Sequence, residues 1–203
     1  MKEKIIQKST ELFLRLGFKS VTMDDIANEM AISKKTIYTY FKNKTQLVKE
    51  CTCCVFHSIT DGIDEICALE QNPIKELYEI KRFVTGKLED ENSSPQYQLQ
   101  KYYPEINEKL KETHFEKMMG ITRKNLHKGI EMGLYRSNMN VELIARFYFL
   151  GIHGIKDQNL FPIEKFPTKF ITEEYLEYHL RGIVTKEGFQ TLNKFIKDNQ
   201  SNE

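Results

Sequence analysis

The sequence predicts an all-α protein, and three observations carry that expectation. Apolar residues recur at helical spacing along nearly the whole chain, and no alternating apolar and polar run is long enough to argue for a sheet. The five prolines, at 73, 95, 104, 162 and 167, punctuate the helical segments and interrupt none of them. Helix start signals recur at short intervals near the N-terminus, at Thr22, Ser33 and Asn43. At 203 residues the chain has room for a small domain joined to a larger one. It carries no internal repeat and no low-complexity tract.

Taken in order, the first helix is expected from about Lys2 to Leu16, with Ile5, Ile6, Leu12, Phe13 and Leu16 on one side. Gly17 stands where a left-handed residue would end it. Thr22, with Asp25 three residues later, opens a short helix to about Met30, and Ala31-Ile32 makes a tight turn. Ser33 caps a third helix. If Ile37 points inward, a step of about 100° per residue puts Ser33, Ile37 and Phe41 on the buried side. Asn43 and Gln46 open a long helix to about Leu69. Asn72-Pro73 starts another, to about Leu88, because proline is tolerated at the first helical position. The polar EDENSSPQ, residues 89–96, reads as a loop, and Pro104 begins a long helix to about Gly133. Residues 140–155 form a strongly apolar helix, 157–171 read as irregular, and two helices near 172–184 and 186–198 close the chain.

Net charge alone implies no partner, since Lys+Arg 30 faces Asp+Glu 29. Its distribution says more. Residues 1–47 hold nine basic and five acidic side chains, while the remainder is mildly acidic. That asymmetry suggests a local polyanion contact. The excess gathers in ISKKTIYTYFKNK, residues 32–44, which has four lysines, two tyrosines and no acid. Around the helix, Lys34, Lys35, Thr36, Tyr38 and Thr39 occupy the side away from Ile37. They offer cations, hydroxyls and methyl groups, which match the donors, acceptors and thymine methyls of a DNA major groove. Ile26, Met30 and Ile32 would pack beneath Ile37 and Phe41, giving a helix-turn-helix. The plainer alternative, a lysine-rich face that is merely solvated, does not account for two short capped helices, a tight turn and aromatic hydroxyls at 38 and 40 together.

TMDDIANEMAISKKTIYTYFKNKTQL, residues 22–47, resembles the DNA-binding domain of the tetracycline-repressor-like (TetR/AcrR) family of bacterial transcription regulators. The preceding helix, ending LFLRLGF, is similar to that family's first helix. The resemblance is close over about residues 2–50 and is one of helix layout beyond that. It implies a helix-turn-helix domain over 1–47 and a ligand-binding and dimerisation domain over 48–203. It further implies base contacts from Lys34, Lys35 and Thr36, and phosphate contacts from Thr22, Tyr38, Tyr40 and Lys44. Its partners would be a palindromic double-stranded operator, a second copy of the chain and a small-molecule effector, with no cofactor and no metal. The chain departs from the family's pattern at Ala31 and Lys35, where glycine is common. An alanine at positive φ costs about 1 kcal/mol.

The family's dimer helices would correspond here to VELIARFYFLGIHGI and EEYLEYHLRGIV, with Phe147, Leu150, Tyr175, His179 and Ile183 as interface candidates. For the effector pocket the candidates are Phe56, Ile59, Ile63, Phe83, Tyr97 and Tyr102, with Tyr103, Phe115, Met118, Met119 and Phe147. Plain core packing is the competing reading for each. Cys51, Cys53 and Cys54 with His57 place two metal ligands on one helical face, but zinc needs three or four and no others lie near. A thiol- or metal-responsive sensor and a helical protein-interaction module are the alternatives. A small helical enzyme ranks last, because no nucleophile elbow, phosphate loop or HExxH occurs. Four cysteines within 17 residues form no disulfide framework and fit a reducing cytoplasm. No signal-peptide core and no apolar run of about 18 residues is present.

Overall fold

A computed structural model describes residues 1–88 and 95–200. It contains helices α1 (Lys2–Leu16), α2 (Met23–Glu29), α3 (Lys34–Tyr40), α4 (Lys44–Ala68) and α5 (Pro73–Leu88). These are followed by α6 (Pro95–Tyr102), α7 (Pro104–Glu131), α8 (Val141–Gly154), α9 (Thr168–Ile183) and α10 (Lys186–Gln200). Among the described residues there is no strand, only an isolated antiparallel bridge between Tyr135 and Val184. The all-α expectation holds, and so does the N-terminal three-helix arrangement.

Two compact units emerge, one of Met1–Gly62 with Gly86–Thr113, the other of Ile63–Thr85 with His114–Glu203. By compactness, then, the first unit extends past residue 47 and also takes in α6 and the start of α7. Its core joins Ile5, Leu12 and Phe13 of α1 to Phe18 and Val21, then to Ile26 of α2 and to Ile37 and Phe41. Leu47, Val48 and Cys51 of α4 and Leu99 of α6 complete it. Two expectations fail at α1 and α3. Leu16 lies exposed at the helix end, and Ser9 fills the buried stripe in its place. Ser33 is exposed, because an N-cap residue lies outside the helical repeat that a wheel assumes.

Gly17 ends α1 at φ 89° and ψ 147°, so its backbone is extended at positive φ and not left-handed helical as expected. This backbone shape is open only to glycine. α6 lies over it. The Gln98 side chain covers Gly17 so closely that a Cβ would meet its amide, and Gln98 Oε1 accepts from the Lys19 N–H at 3.3 Å. α6 itself was unforeseen. Residues 89–94 of the expected loop lie outside the described residues, but Pro95 and Gln96 are helical. With Pro95 at its first position and Pro104 beyond its end, α6 has eight residues, and Leu99 is the one well-buried apolar side chain among those described. Such a pattern has too little periodicity to announce a helix.

The second unit packs Ile74, Leu77 and Tyr78 of α5, Met119 and Leu126 of α7, and Ala145 and Tyr148 of α8. Leu176, Leu180 and Ile183 of α9 and Leu192 of α10 close this core. A buried polar set lies within it. Asn125 donates to the Pro73 carbonyl at 2.9 Å and to Glu76 at 2.7 Å, while Tyr135 donates to the Asn125 oxygen at 3.2 Å. Lys128 reaches the other Glu76 oxygen at 3.2 Å, so the buried carboxylate is paired. α8 and α9 touch closely at Gly151, where a Cβ would strike the Tyr175 ring and hydroxyl. That hydroxyl donates to the Phe147 and Tyr148 carbonyls at 3.0 and 3.2 Å. α9 starts at Thr168, a few residues before the expected 172, since Pro167 serves as its N-terminal boundary.

Two tests follow from this packing. Ala31 has φ 52°, so Ala31→Gly should raise stability by roughly 0.5–1 kcal/mol, read as a higher urea midpoint. An unchanged or lower midpoint would show the turn to be unstrained. Burial pushes the imidazoles of His114 and His179 down to about 4 from an ordinary 6.5, and the positive Lys156 adds to the effect at His114. The unfolded chain then binds the extra protons first. Stability is fully present above about pH 6.5 and is lost as pH falls toward 4. Unfolding midpoints should drop between pH 7.5 and pH 5, and His114→Phe should flatten part of that slope. An equal slope in the variant would count against the burial of His114.

Candidate nucleic-acid interface

The site is assembled by three successive helix starts. Thr22 caps α2, its hydroxyl accepting from the Asp25 N–H at 3.2 Å. The Asp25 carboxylate accepts in return from the Thr22 N–H and hydroxyl, both at 2.8 Å. These bonds hold the Asp25 carboxyl below its ordinary range, the Thr22 backbone bond contributing most. α2 then ends in a paired closure: Ile32 N–H donates to the Ala27 carbonyl at 3.0 Å and Ala31 N–H to Asn28 at 3.1 Å. This is the Schellman arrangement, with alanine in the left-handed position that glycine normally takes. Ser33 caps α3 by accepting from the Thr36 N–H at 3.0 Å. Asn43 caps α4 by accepting from the Gln46 N–H at 2.8 Å, and the Gln46 side chain accepts from Lys42 N–H at 2.8 Å.

α3 has seven residues, one of them fully buried, Ile37; Phe41, just beyond its end, is the second anchor. Ile26, Met30 and Ile32 pack in the same cluster, as expected. The rest of α3 faces out. Lys34, Lys35, Tyr38, Thr39 and Tyr40 are exposed, and Thr36 is half-buried with its hydroxyl 2.8 Å from that of Ser33. Lys35 and Lys42 have no ion-pair partner among the described residues. The structure thus brings Lys34, Lys35, Thr36 and Tyr38 onto one exposed strip, with Tyr40 near its end.

Two of the lysines are already engaged. Lys34 Nζ lies 2.7 Å from Asp24 Oδ2, a bond that raises the Lys34 pKa. Sequence reading did not single out Asp24, and its only signal was an acid ten residues before a lysine. Lys44 donates to the Lys19 carbonyl at 3.3 Å and lies over the Phe13 ring at 5.8 Å. Partial burial pulls its pKa down. Part of what Lys44 does is therefore to hold the α1–α2 connection. Thr22 is exposed, but its hydroxyl is committed to the cap.

The other candidates divide between the units. Phe56, Ile59, Tyr97, Tyr102 and Tyr103 belong to the first, where Tyr97 and Tyr102 are exposed. Tyr103 is half-buried against the first core and meets Phe18 with ring centroids 6.3 Å apart. Ile63, Phe83, Phe115, Met118 and Met119 belong to the second. Met119 is wholly buried in core contact, and Phe115 meets Phe149 edge-on at 5.0 Å. Phe147 is 55% exposed.

At the expected interface, Phe147 and the 68%-exposed Leu150 stand out from α8 together with Leu143. Their spacing of four and three residues was the signal that could have added Leu143. Phe170 and Tyr178 are exposed on α9 and were likewise missed. Ile183 is buried in the unit's own core, which removes it from the interface set. Tyr175 and His179 serve internal contacts: Tyr175 bonds α8, and His179 packs on Tyr148 with centroids 4.5 Å apart.

Cys51 is buried, 3.5 Å from the Ile6 carbonyl, and burial pushes its thiol up to about 12. It is a packing residue at neutral pH and not a ready nucleophile or ligand. Among the described residues no three His, Cys, Asp or Glu side chains converge to hold a metal, and no helix is long and apolar enough to cross a membrane.

Comparison with known proteins agrees with this geometry. Residues 5–51 match the family described as bacterial regulatory proteins, tetR family. The chain is 25% identical over 149 residues to the biofilm operon icaADBC HTH-type negative transcriptional regulator IcaR of Staphylococcus aureus (strain Newman), covering 59% of this chain and 78% of the relative. In fold it is similar to SmeT, the repressor of the Stenotrophomonas maltophilia multidrug efflux pump SmeDEF. That likeness has a TM-score of 0.69 and 14% identity over 92% of this chain and 91% of SmeT. A SmeT–triclosan complex matches at TM-score 0.65 and 14% identity, covering 91% and 92%. The matched segment is the one that carries the capped helix-turn-helix and its lysine-rich strip, and over residues 5–51 the chain has the helix-turn-helix segment of the tetR family of bacterial regulatory proteins.

Proposed function

We propose that this DNA-binding regulator is a repressor that acts as a homodimer in the cytoplasm on a roughly palindromic operator and is released by a small-molecule effector. The observation that carries this reading is the α3 strip itself. Lys34, Lys35, Tyr38 and Thr39 are exposed, while Ile37 and Phe41 anchor the opposite side. One such helix buries little surface, so specificity of ordinary size needs two copies, with half-sites a whole number of helical turns apart, each about 34–36 Å.

On this reading residues 1–47 are the DNA-binding domain and 48–203 the ligand-binding and dimerisation domain. Lys34, Lys35 and Thr36 address base edges; Thr22, Tyr38, Tyr40 and Lys44 set the register on phosphates. The exposed apolar stripe of Leu143, Phe147 and Leu150 on α8, with Phe170 and Tyr178 on α9, supports pairing of two copies there. Candidates for effector contact are Phe56, Ile59, Ile63, Phe83, Tyr102, Phe115, Met118 and Met119. α4 runs unbroken from Lys44 to Ala68 and so joins the operator-reading residues to the effector-binding segment. An effector with higher affinity for a DNA-incompetent state would shift the population through that helix. The printed roles of IcaR as a negative regulator and of SmeT as a repressor seen with triclosan support both the sign of regulation and the response to small molecules.

The test is selection of a duplex from a random pool by the full chain, followed by binding measurements with variants. Lys35→Ala should weaken the selected duplex by about 1–3 kcal/mol per subunit and relax preference at one base pair of each half-site. Lys44→Ala should weaken all duplexes alike and lower the salt slope by about 1 per subunit. A uniform loss from Lys35→Ala would contradict the division of roles, and failure to enrich any duplex would reject the regulator reading. Small molecules that raise the melting temperature should release the selected duplex. If none of the stabilising compounds does so, effector control is refuted.

A further inference from the structure

With α3 as a groove-facing helix, the pairing of one acidic side chain with a groove-facing lysine calls for a cause. Asp24 is exposed at the start of α2, and its Oδ2 lies 2.7 Å from Lys34 Nζ. The α2 cap does not use it, since Thr22 and Asp25 satisfy each other. Glu29, at the other end of the same helix, pairs with Lys8 at 3.1 Å. Lys34 is the one partner Asp24 has among the described residues. The two side chains are 46% and 61% exposed, and ion pairs in that much water contribute little to stability. A carboxylate beside a polyanion-binding face also opposes every phosphate contact. In the first turn of α2 the Asp24 carboxylate favours the helix N-terminus whether or not it meets Lys34, so neither stability nor raw affinity explains the pairing itself.

What the pair does change is the freedom of Lys34. A lysine head is a compact charge on a flexible stem with three donors, and on its own it reaches whichever phosphate is near. Tied to Asp24, the ammonium is fixed at the N-terminal end of α3, and its attraction for phosphate is largely offset by the adjacent carboxylate. It keeps free donors for an acceptor at a base edge, such as guanine O6 or N7. Resting on the DNA-binding reading above, we propose that Asp24 is a positioning residue for Lys34: it withholds the ammonium from phosphates and presents it to base edges, so that the pair lowers non-specific affinity and raises discrimination.

Wild type, Asp24→Asn, Lys34→Ala and the double variant are to be measured against the pool-selected duplex and an unrelated duplex over a range of salt. Asp24→Asn should bind the unrelated duplex about threefold to tenfold more tightly, with a salt slope steeper by about 1 per subunit, while the selected duplex gains less. The ratio of the two affinities therefore falls. In the Lys34→Ala background, Asp24→Asn should leave that ratio unchanged. An unaltered ratio in the single variant would overturn the proposal. So would an equal gain with and without Lys34, which would make Asp24 a simple repulsive charge. If Asp24→Asn lowers the melting temperature, Asp24→Ser, another short polar residue for the first turn of α2, carries the same expectation. A wild-type chain that enriches no duplex would reject both readings; one that enriches a duplex while the ratio stays fixed rejects this inference alone.

Discussion

The proposed DNA-reading surface depends on the burial of Ile37 and Phe41. A helix of seven residues does not hold together alone in water, because nucleation costs more than so few hydrogen bonds return. α3 persists because Ile37 is fully enclosed and Phe41, just past its end, is pinned in the same core with Ile26, Leu47 and Val48. Those two anchors also fix rotation. Each residue turns the helix by about 100°, so an apolar anchor displaced by one position would swing Lys35 toward the core. The charge pattern outside is a consequence of the packing inside.

The caps translate that packing into position. α2 is closed by two backbone bonds around Ala31, and α3 and α4 each start on a side-chain acceptor, Ser33 and Asn43. None of these bonds is strong by itself, each contributing about 1 kcal/mol. Together they leave the backbone few alternatives between residues 22 and 46. α6 adds support from a distant part of the sequence, with Leu99 in the same core and Gln98 seated over Gly17. The unit that carries the interface therefore needs more chain than the helix-turn-helix itself.

Much of this was legible in the sequence because it is local. Capping residues at 22, 33 and 43, the apolar spacing of Ile37 and Phe41, and the lysines between them all lie within one short window. What could not be read depends on contacts across long separations. Gln98 lies over Gly17, Leu99 of α6 is buried in the first unit's core, and Ile183 packs inward against the rest of its own unit. Hydropathy treats Phe147 and Ile183 alike, yet one faces solvent and the other the core. Lysine count likewise conceals engagement: Lys35 has no ion-pair partner among the described residues, Lys34 is held by Asp24, and Lys44 is turned partly to the Lys19 carbonyl.

The central claim is that α3 enters a major groove, with its exposed strip against base edges. Dimethyl sulfate probing of the selected duplex tests it directly, since the reagent methylates guanine N7 in the major groove and adenine N3 in the minor groove. The account predicts that bound protein shields guanine N7 in two patches one or more whole helical turns apart and leaves adenine N3 reactive there. Protection confined to adenine N3, or no protection on a duplex that is demonstrably bound, would contradict it.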